Sequence, residues 1–194
     1  NDGVNDIVAV YPAFDAIVWY QIASNYDNYY NVIINNTANE ATYLASADIN
    51  GDEKKDIVAI TMYNSQIDCY TNYGMGNFSS PTIIYNYFLA YGDYVFDYIP
   101  SIDNLLVDDI DGNGAIDLLF IEKNVYNGEV EAGEVIFLVN DGTGVFFVQG
   151  SLDYLYAISV AIADIDNDND IDVIFRTEEN NLEWRENDGY GNML

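Results

Sequence analysis

The sequence predicts an all-β fold built from four-stranded antiparallel sheets, and three observations support this prediction. Short segments rich in β-branched and aromatic residues, such as DIVAV, DLLFI and DVIF, are bounded by Asn, Asp and Gly, as strands are. No stretch has a convincing helical period. An acidic motif followed by an apolar strand recurs along the whole chain, and its last aspartate falls at Asp6, Asp56, Asp117 and Asp172.

The recurrence defines four repeats, which we place at about 1–41, 42–102, 103–155 and 156–194. The steps between the aspartates are 50, 61 and 55 residues, a period typical of propellers, solenoids and arrays. A second signal recurs in phase with the first. When the four repeats are aligned, one column holds an apolar residue in every copy: Trp19, Cys69, Phe137 and Trp184. In the three later copies the pattern Asn-x-Gly-x-Gly follows it: Asn72, Gly74 and Gly76; Asn140, Gly142 and Gly144; Asn187, Gly189 and Gly191.

Each repeat is expected to contain a strand, an acidic loop, a strand, a turn, a strand, a glycine-rich turn and a closing strand. For the second repeat we place the strands near 42–48, 56–62, 66–72 and 81–86. Four strands in 50–60 residues predict one blade of a β-propeller. The first repeat begins inside its acidic loop and the last stops after its glycine-rich turn. We therefore expect residues 1–194 to be a single propeller segment of a longer chain, with partial first and last blades.

Composition excludes several classes of function. The chain carries 33 acidic and 5 basic residues, a net charge of −28, which argues against nucleic acid and anionic membrane surfaces as partners. The absence of histidine removes histidine-dependent catalysis and most zinc sites. No apolar run is long enough to span a membrane, so no direct membrane insertion is expected. A single cysteine, Cys69, permits no internal disulfide and, in its column, is expected to lie in the core.

The acidic loops have the spacing of a Ca²⁺ site. Counted from the first Asp of each loop, positions 1, 3, 5 and 9 are all Asp or Asn: Asp48, Asn50, Asp52 and Asp56; Asp109, Asp111, Asn113 and Asp117; Asp164, Asp166, Asp168 and Asp172. Ca²⁺ takes six to eight oxygen ligands, and alternate side chains of a tightly curled loop can point at one ion. Position 7 would add a backbone carbonyl, from Lys54, Ala115 or Asp170. The first loop retains Asp2 and Asp6, a partial site.

Position 6 of these loops is expected to adopt a left-handed conformation. Gly3, Gly114 and Asn169 suit it, whereas Glu53 departs from the pattern. An EF-hand would need a bidentate Glu at position 12 and flanking helices. Position 12 is instead apolar and lies in a predicted strand, at Ala59, Phe120 and Phe175. The EF-hand interpretation therefore fails.

The loop pattern D-x-D-x-D-G-x-x-D, the apolar strand after it and the N-x-G-x-G element resemble the FG-GAP/VCBS repeat family over nearly the whole chain. The resemblance implies a β-propeller of the integrin α-subunit type, stabilised by Ca²⁺ and usually extracellular or on the cell surface. It also implies that the calcium is structural, with about three complete sites and one partial site in this chain. Because the family is functionally broad, the resemblance alone does not settle function.

The function expected from these features is a non-enzymatic, extracellular calcium-binding module for adhesion or for structural assembly of a surface appendage or filament. Its partners would be other protein subunits or glycans, with self-assembly as one possibility. Two alternatives stay open: a lectin-like carbohydrate-binding module, in which Trp and Tyr stack on sugars, and an accessory domain of a larger extracellular enzyme. The triplets Asn35-Asn36-Thr37 and Asn77-Phe78-Ser79 fit the N-glycosylation sequon, so Asn35 and Asn77 are candidate glycan acceptors.

Overall fold

The protein folds as a series of antiparallel sheets, seen in a computed structural model. The structure describes residues 5–23, 29–36, 41–61, 65–87, 99–126, 129–152 and 156–194. The tyrosine-rich connection at 88–98 lies outside the described residues, and so does Asp2. The all-β, antiparallel prediction is confirmed.

Consecutive strands of the chain build each of the four main sheets. Sheet 1 contains β1 (Ile7–Tyr11), β2 (Ala16–Ile22) and β3 (Tyr29–Asn35) in that order, with a 3-10 turn at Pro12–Phe14 between the first two. Sheet 2 contains β4 (Ala41–Ala47), β5 (Asp56–Thr61), β6 (Gln66–Tyr70) and β9 (Thr82–Asn86). Between β6 and β9, β7 (Asn72–Gly74) and β8 (Asn77–Phe78) form a separate hairpin.

The two remaining sheets repeat this arrangement. Sheet 3 contains β10 (Ile99–Asp108), β11 (Asp117–Tyr126), β12 (Glu129–Asn140) and β13 (Phe146–Leu152). Sheet 4 contains β14 (Ala157–Ala163), β15 (Asp172–Thr177) and β16 (Leu182–Arg185). Each strand pairs antiparallel with the next strand of its sheet, so every sheet is a simple meander.

The sheets stack face to face in chain order. Alternate residues of each strand point to opposite faces of its sheet, so one sheet can pack apolar side chains against a neighbour on each side. Val58 and Cys69 of sheet 2 pack with Leu118 and Phe120 of sheet 3 in one buried cluster. The opposite face of sheet 3 packs against sheet 4 in a second cluster, and sheet 1 packs against the other face of sheet 2 in a third. We call the side of a sheet that faces its successor the front face, and the other side the rear face.

The described strands therefore form open sheets stacked like the blades of a propeller, and closure into a ring remains a prediction. The strands predicted for the second repeat match β4, β5, β6 and β9 to within two residues at each end. Each of the three complete acidic loops connects the first and second strands of its sheet, so these loops lie at one end of the stack. This end carries the candidate site.

Candidate metal centre

The acidic loops share a backbone with two left-handed residues. Position 6 is left-handed in all three complete loops, with φ of +66° at Glu53, +88° at Gly114 and +76° at Asn169. The predicted turn is thus confirmed, and Glu53 adopts it despite its side chain. Position 4 is also left-handed, at Gly51, Gly112 and Asn167. Sequence reasoning missed position 4, although Gly, Gly and Asn there are residues that tolerate this conformation.

Position 1 organises each loop by accepting backbone hydrogen bonds. In the second loop the amides of Gly51 and Asp52 donate to Asp48 Oδ1, at 2.9 and 3.1 Å. The amide of Glu53 donates to Asp48 Oδ2 at 2.7 Å. In the fourth loop, Asp164 accepts from Asn167 and Asn169 in the same way. The carboxylate therefore curls the chain around itself.

Positions 3 and 5 repeat one local turn, in which a side-chain oxygen accepts the amide two residues further on. In each of the following pairs, the side-chain oxygen of the first residue accepts the backbone amide of the second: Asn50 and Asp52, Asp52 and Lys54, Asp111 and Asn113, Asn113 and Ala115, Asp166 and Asp168, Asp168 and Asp170. The turns are the Asx type, which short acidic and amide side chains form readily. Each carboxylate among them keeps a second oxygen free of this backbone contact.

Position 9 joins the loop to the strands behind it. Asp56, Asp117 and Asp172 are fully buried. One oxygen of each accepts the amide of loop position 2, and the other accepts the amide of Asn72, Asn140 or Asn187 at 2.7–2.9 Å. Burial raises the pKa of Asp56 and Asp117, because the ionised form loses hydration. A cation beside these carboxylates would offset that loss.

Carboxylates converge in the third and fourth loops. Oxygens of Asp109, Asp111 and Asp117 all lie within 4.8 Å of one another, and so do oxygens of Asp164, Asp166 and Asp172. These are positions 1, 3 and 9 of the two loops. Three carboxylates at this separation repel one another unless a cation lies between them, and an all-oxygen set is the kind that Ca²⁺ prefers.

One oxygen of the third loop is placed where a cation ligand would be expected. Asp109 Oδ1 is buried and has no hydrogen-bond partner among the described residues, whereas Asp109 Oδ2 accepts the Gly114 amide at 2.9 Å. An ionised oxygen that is both buried and unpaired costs several kcal/mol in a real protein. The donor set of this loop therefore fits a bound hard cation, which would take Asp109 Oδ1 as a ligand.

The second loop differs in its electrostatics. Its position 3 is Asn50, so fewer carboxylates converge there, and Lys54 Nζ forms an ion pair with Asp52 Oδ2 at 2.8 Å. The hydrogen bond from Lys54 lowers the pKa of Asp52. Part of the negative charge of this loop is thus neutralised by its own lysine, which predicts weaker cation binding than at the other two complete loops.

The remaining predicted ligands differ in where the structure places them. Asp2 lies outside the described residues. Asp6 is exposed and accepts the Ile22 amide at 2.9 Å, the same bond that position 9 makes in the later loops. Lys54, Ala115 and Asp170 lie in their loops as expected, and the use of their carbonyls as ligands stays a prediction. Sequence reasoning missed Glu186, whose carboxylate lies within 4.8 Å of Asp166 and Asp168.

The asparagine of the N-x-G-x-G element connects the second and third acidic loops to the sheet that follows each of them. Asn140 Nδ2 donates to Ile49 O of the second loop at 2.8 Å and to Ile116 O of its own loop at 3.0 Å. Asn187 Nδ2 donates in the same way to Ile110 O and Ile171 O. We call this pair of bonds the asparagine clamp. A cation that orders one loop would therefore also order the junction with the next sheet.

The other singled-out residues are placed as follows. Cys69 is buried in the cluster between sheets 2 and 3, as predicted, and burial raises its thiol pKa to about 12.

Asn77 is exposed on β8, whereas Asn35 is partly buried and its side-chain amide donates to Tyr70 Oη at 2.9 Å. Asn77 is therefore the more accessible of the two sequons. No helix in the described part of the chain is long and apolar enough to cross a membrane.

Comparison with known proteins gives one family match. The FG-GAP-like repeat family matches residues 109–175, which run from the first aspartate of the third loop to just beyond the fourth. No curated protein sequence matches the chain. A solved structure of a lectin from Agrocybe aegerita, described as recognising non-reducing terminal N-acetylglucosamine, aligns with 98% of this chain and 64% of its own length, at 15% identity and a TM-score of 0.40.

The chain thus spans less than two thirds of that lectin structure, and so distant a likeness carries no argument about function. The family match covers both of the loops in which three carboxylates converge. The resemblance recognised from the loop motif is confirmed there: residues 109–175 of this chain match the FG-GAP-like repeat family.

Proposed function

We propose that this chain is a non-enzymatic, calcium-stabilised propeller segment that acts outside the cell in adhesion or in the assembly of a surface structure. The observation that carries the proposal is the pair of carboxylate trios, one of which includes the buried, unpartnered Asp109 Oδ1. Calcium would hold the third and fourth loops closed and, through the asparagine clamp, fix the sheet junctions beside them. Metal binding of this kind contributes directly to folding.

Two further features support an extracellular, non-catalytic role. Three or four Ca²⁺ ions would neutralise at most about 8 of the 28 excess negative charges, so the surface stays strongly acidic and suits calcium-rich surroundings. The loop carboxylates accept backbone hydrogen bonds within their own loops, which suits side chains that shape a metal-binding loop. The proposal therefore assigns calcium a structural role and leaves recognition to other surfaces.

Calorimetric titration and thermal melts test this proposal. Protein stripped with EGTA should take up at least two Ca²⁺ ions per chain and gain thermal stability, by about 3 kcal/mol at a concentration near 100 Kd. Asp109→Asn should remove one binding event. In EGTA the same variant should be at least as stable as wild type because it removes a repelling charge, whereas in calcium it should be less stable.

Glu178→Gln is the matched control, because Glu178 is exposed and lies in the turn after β15, away from the ligand positions. It should change neither the number of binding events nor the calcium-dependent shift in melting temperature. Absence of binding heat in wild type, together with equal melting temperatures in calcium and EGTA, would overturn the proposal.

A glycan-binding role is the second candidate, and one cavity favours it. A cleft of about 360 Å³ between the second and third loops is lined by Asp48, Asn113 and Asp141 together with glycine, alanine and isoleucine residues. Its volume is within the range of small-ligand sites, and its lining offers the acceptors that sugar hydroxyls need. Clear saccharide binding on a glycan array, lost on Asp141→Ala, would favour this role over adhesion through protein contacts.

A further inference from the structure

One carboxyl group is buried between sheets 2 and 3, away from the acidic loops. Glu122 lies on β11 and is only 5% exposed. It follows Leu118 and Phe120 on the rear face of sheet 3, and both of these residues pack in the cluster with the front face of sheet 2. Five residues separate Glu122 from Asp117, which is about 16 Å along a strand. Glu122 therefore has no part in the third loop.

The polar groups that face Glu122 are themselves acids. Glu134 lies directly opposite it across β11 and β12, which places the two side chains on one face with their Cβ atoms about 5 Å apart. From sheet 2, Tyr85 Oη donates a hydrogen bond to Glu122 Oε2. Tyr87, just after β9, is also buried, and its burial, followed by the charges of Glu122 and Glu134, raises its pKa. On β10, the residue opposite Glu122 is the apolar Ile102.

No basic residue lies in this junction. The chain has five, all within the described residues, and Lys123 is the nearest along the sequence. Lys123 neighbours Glu122 on the strand, so its side chain points to the opposite face, where it forms an ion pair with Asp103 at 2.8 Å. The other four lie in the second acidic loop or in sheet 4: Lys54, Lys55, Arg176 and Arg185.

Two carboxylates that face each other in a buried site cannot both ionise without a large cost, because each disfavours the charge of the other and burial disfavours both. We propose that Glu122 and Glu134 share one proton at neutral pH, and that this proton holds sheets 2 and 3 together until alkaline conditions remove it. One carboxyl then donates its O–H to the carboxylate of the other, while Tyr85 donates to Glu122 Oε2. The pH of the surroundings would thus set how firmly the two sheets are joined.

The direction of the pH effect follows from the protons that each state binds. An exposed glutamate in the unfolded chain ionises near pH 4.3, whereas the folded pair keeps its proton at pH 7. The folded state therefore binds one more proton between these values, and stability decreases as the pH rises, by up to about tenfold in the unfolding equilibrium constant per pH unit. Below about pH 4 both states are protonated and the contribution is constant.

The test compares variants with wild type, because burial also raises the pKa of Asp56, Asp68 and Asp117 and these groups shape the wild-type profile as well. Glu122→Gln imitates the protonated side chain and still accepts the Tyr85 hydroxyl. In chemical denaturation with excess calcium, it should match wild type near pH 5. Between pH 5 and pH 7 its unfolding equilibrium constant should fall at least tenfold relative to wild type.

Glu178→Gln is the matched control, since Glu178 is exposed; its stability should stay parallel to that of wild type at every pH. Glu134→Gln should give the same pH-dependent gain as Glu122→Gln. The double variant should gain no more than either single variant, because only one proton is shared. A Glu122→Gln difference that does not change between pH 5 and pH 8, or gains that add in the double variant, would overturn the proposal.

Infrared spectroscopy detects the proton directly and needs no variant. At pH 7, wild type should show the carbonyl stretch of a protonated carboxyl group, and labelling glutamate with ¹³C should shift this band, which excludes the aspartates as its source. Absence of a glutamate band at pH 7 would also overturn the proposal. Repeating both measurements in EGTA separates this inference from the calcium proposal: the shared proton should persist without calcium, and its loss in both conditions leaves calcium binding untouched.

Discussion

Glu53 holds a backbone conformation that costs a side-chain-bearing residue free energy. Its φ of +66° lies in the left-handed region, where a Cβ approaches the neighbouring carbonyl oxygen and costs roughly 1–2 kcal/mol. The loop keeps this conformation because the Glu53 amide donates to Asp48 Oδ2 at 2.7 Å. The second loop therefore retains the hydrogen bonds of the other loops at the expense of local strain.

Replacing Glu53 with glycine should relieve this strain. We expect Glu53→Gly to raise the free energy of unfolding by about 1 kcal/mol, because glycine adopts positive φ without a steric penalty. Chemical denaturation in calcium is the measurement. The same change at Glu179, an exposed glutamate whose φ is not positive, provides the control and should be neutral or destabilising. Equal destabilisation at both sites would contradict the strain argument.

The residue scale also shows what a motif can reveal. Positions 1, 3, 5 and 9 are identifiable from the sequence because their side chains alternate with regular spacing. The left-handed turn at position 6 is identifiable from the residues in two of the three complete loops. Glu186 is not identifiable in this way, since its approach to Asp166 and Asp168 depends on how the end of β16 passes the loop, which no spacing rule encodes.

At the scale of elements, the asparagine clamp explains why Asn-x-Gly-x-Gly recurs. Asn140 is buried, donates to two carbonyls on different sheets and accepts the amides of Gly142 and Gly144. Both glycines have positive φ, so the turn folds back over its own asparagine. The motif is therefore a junction device, and its glycines shape the turn that the asparagine holds.

The loss of stability on substitution of Asn140 and of Asn72 should follow the number of contacts that each side chain makes. Asn140→Ala leaves Ile49 O, Ile116 O and two glycine amides without their partner, and should cost about 3 kcal/mol, since each buried unsatisfied group costs roughly 1–3 kcal/mol. Asn72 is only partly buried, and its described side-chain bonds are to Lys55 O and the Gly74 amide. Asn72→Ala should therefore cost about half as much. Denaturation midpoints at constant m-value check the order, and equal costs would show that the cross-sheet bond adds nothing.

Element boundaries followed well from the sequence where turn residues are clear. The strands of sheet 2 were placed within two residues, because Asp, Asn and Gly bound each apolar segment. The β7–β8 hairpin inside the glycine-rich turn was not predicted. Only five residues separate its strand starts, too few for an alternating pattern to register, and the hairpin depends on bonds such as Ser79 N to Thr71 O at 2.9 Å.

At the scale of the whole molecule, periodicity determines the order of the sheets but not the closure of the stack. The repeat distance and the alternation of apolar residues give each sheet two apolar faces, which is sufficient to predict stacking in chain order. Closure depends on the rotation from one sheet to the next, a small angle set by twist and side-chain size at each junction.

The net charge of −28 acts on the molecule as a whole. The fourth loop alone places five aspartates within nine residues. Loss of hydration, and after it repulsion from neighbouring carboxylates, raises the pKa of Asp166 and Asp170. Without calcium, this repulsion opposes the compact state, and dissolved salt screens it over about 10 Å at 0.1 M and 3 Å at 1 M. With calcium bound, the densest clusters are neutralised locally, and less repulsion remains for salt to screen.

In EGTA, the melting temperature should therefore rise by several degrees between 0.02 and 0.5 M NaCl, whereas in calcium the rise should be smaller. Choline chloride at the same ionic strength separates screening from sodium binding in the loops, because the bulky choline cation cannot enter an aspartate trio. Equal shifts in the two salts would assign the effect to the net charge. A melting temperature in EGTA that does not change with either salt would show that charge repulsion is not what calcium relieves, and that the metal stabilises the fold through loop geometry alone.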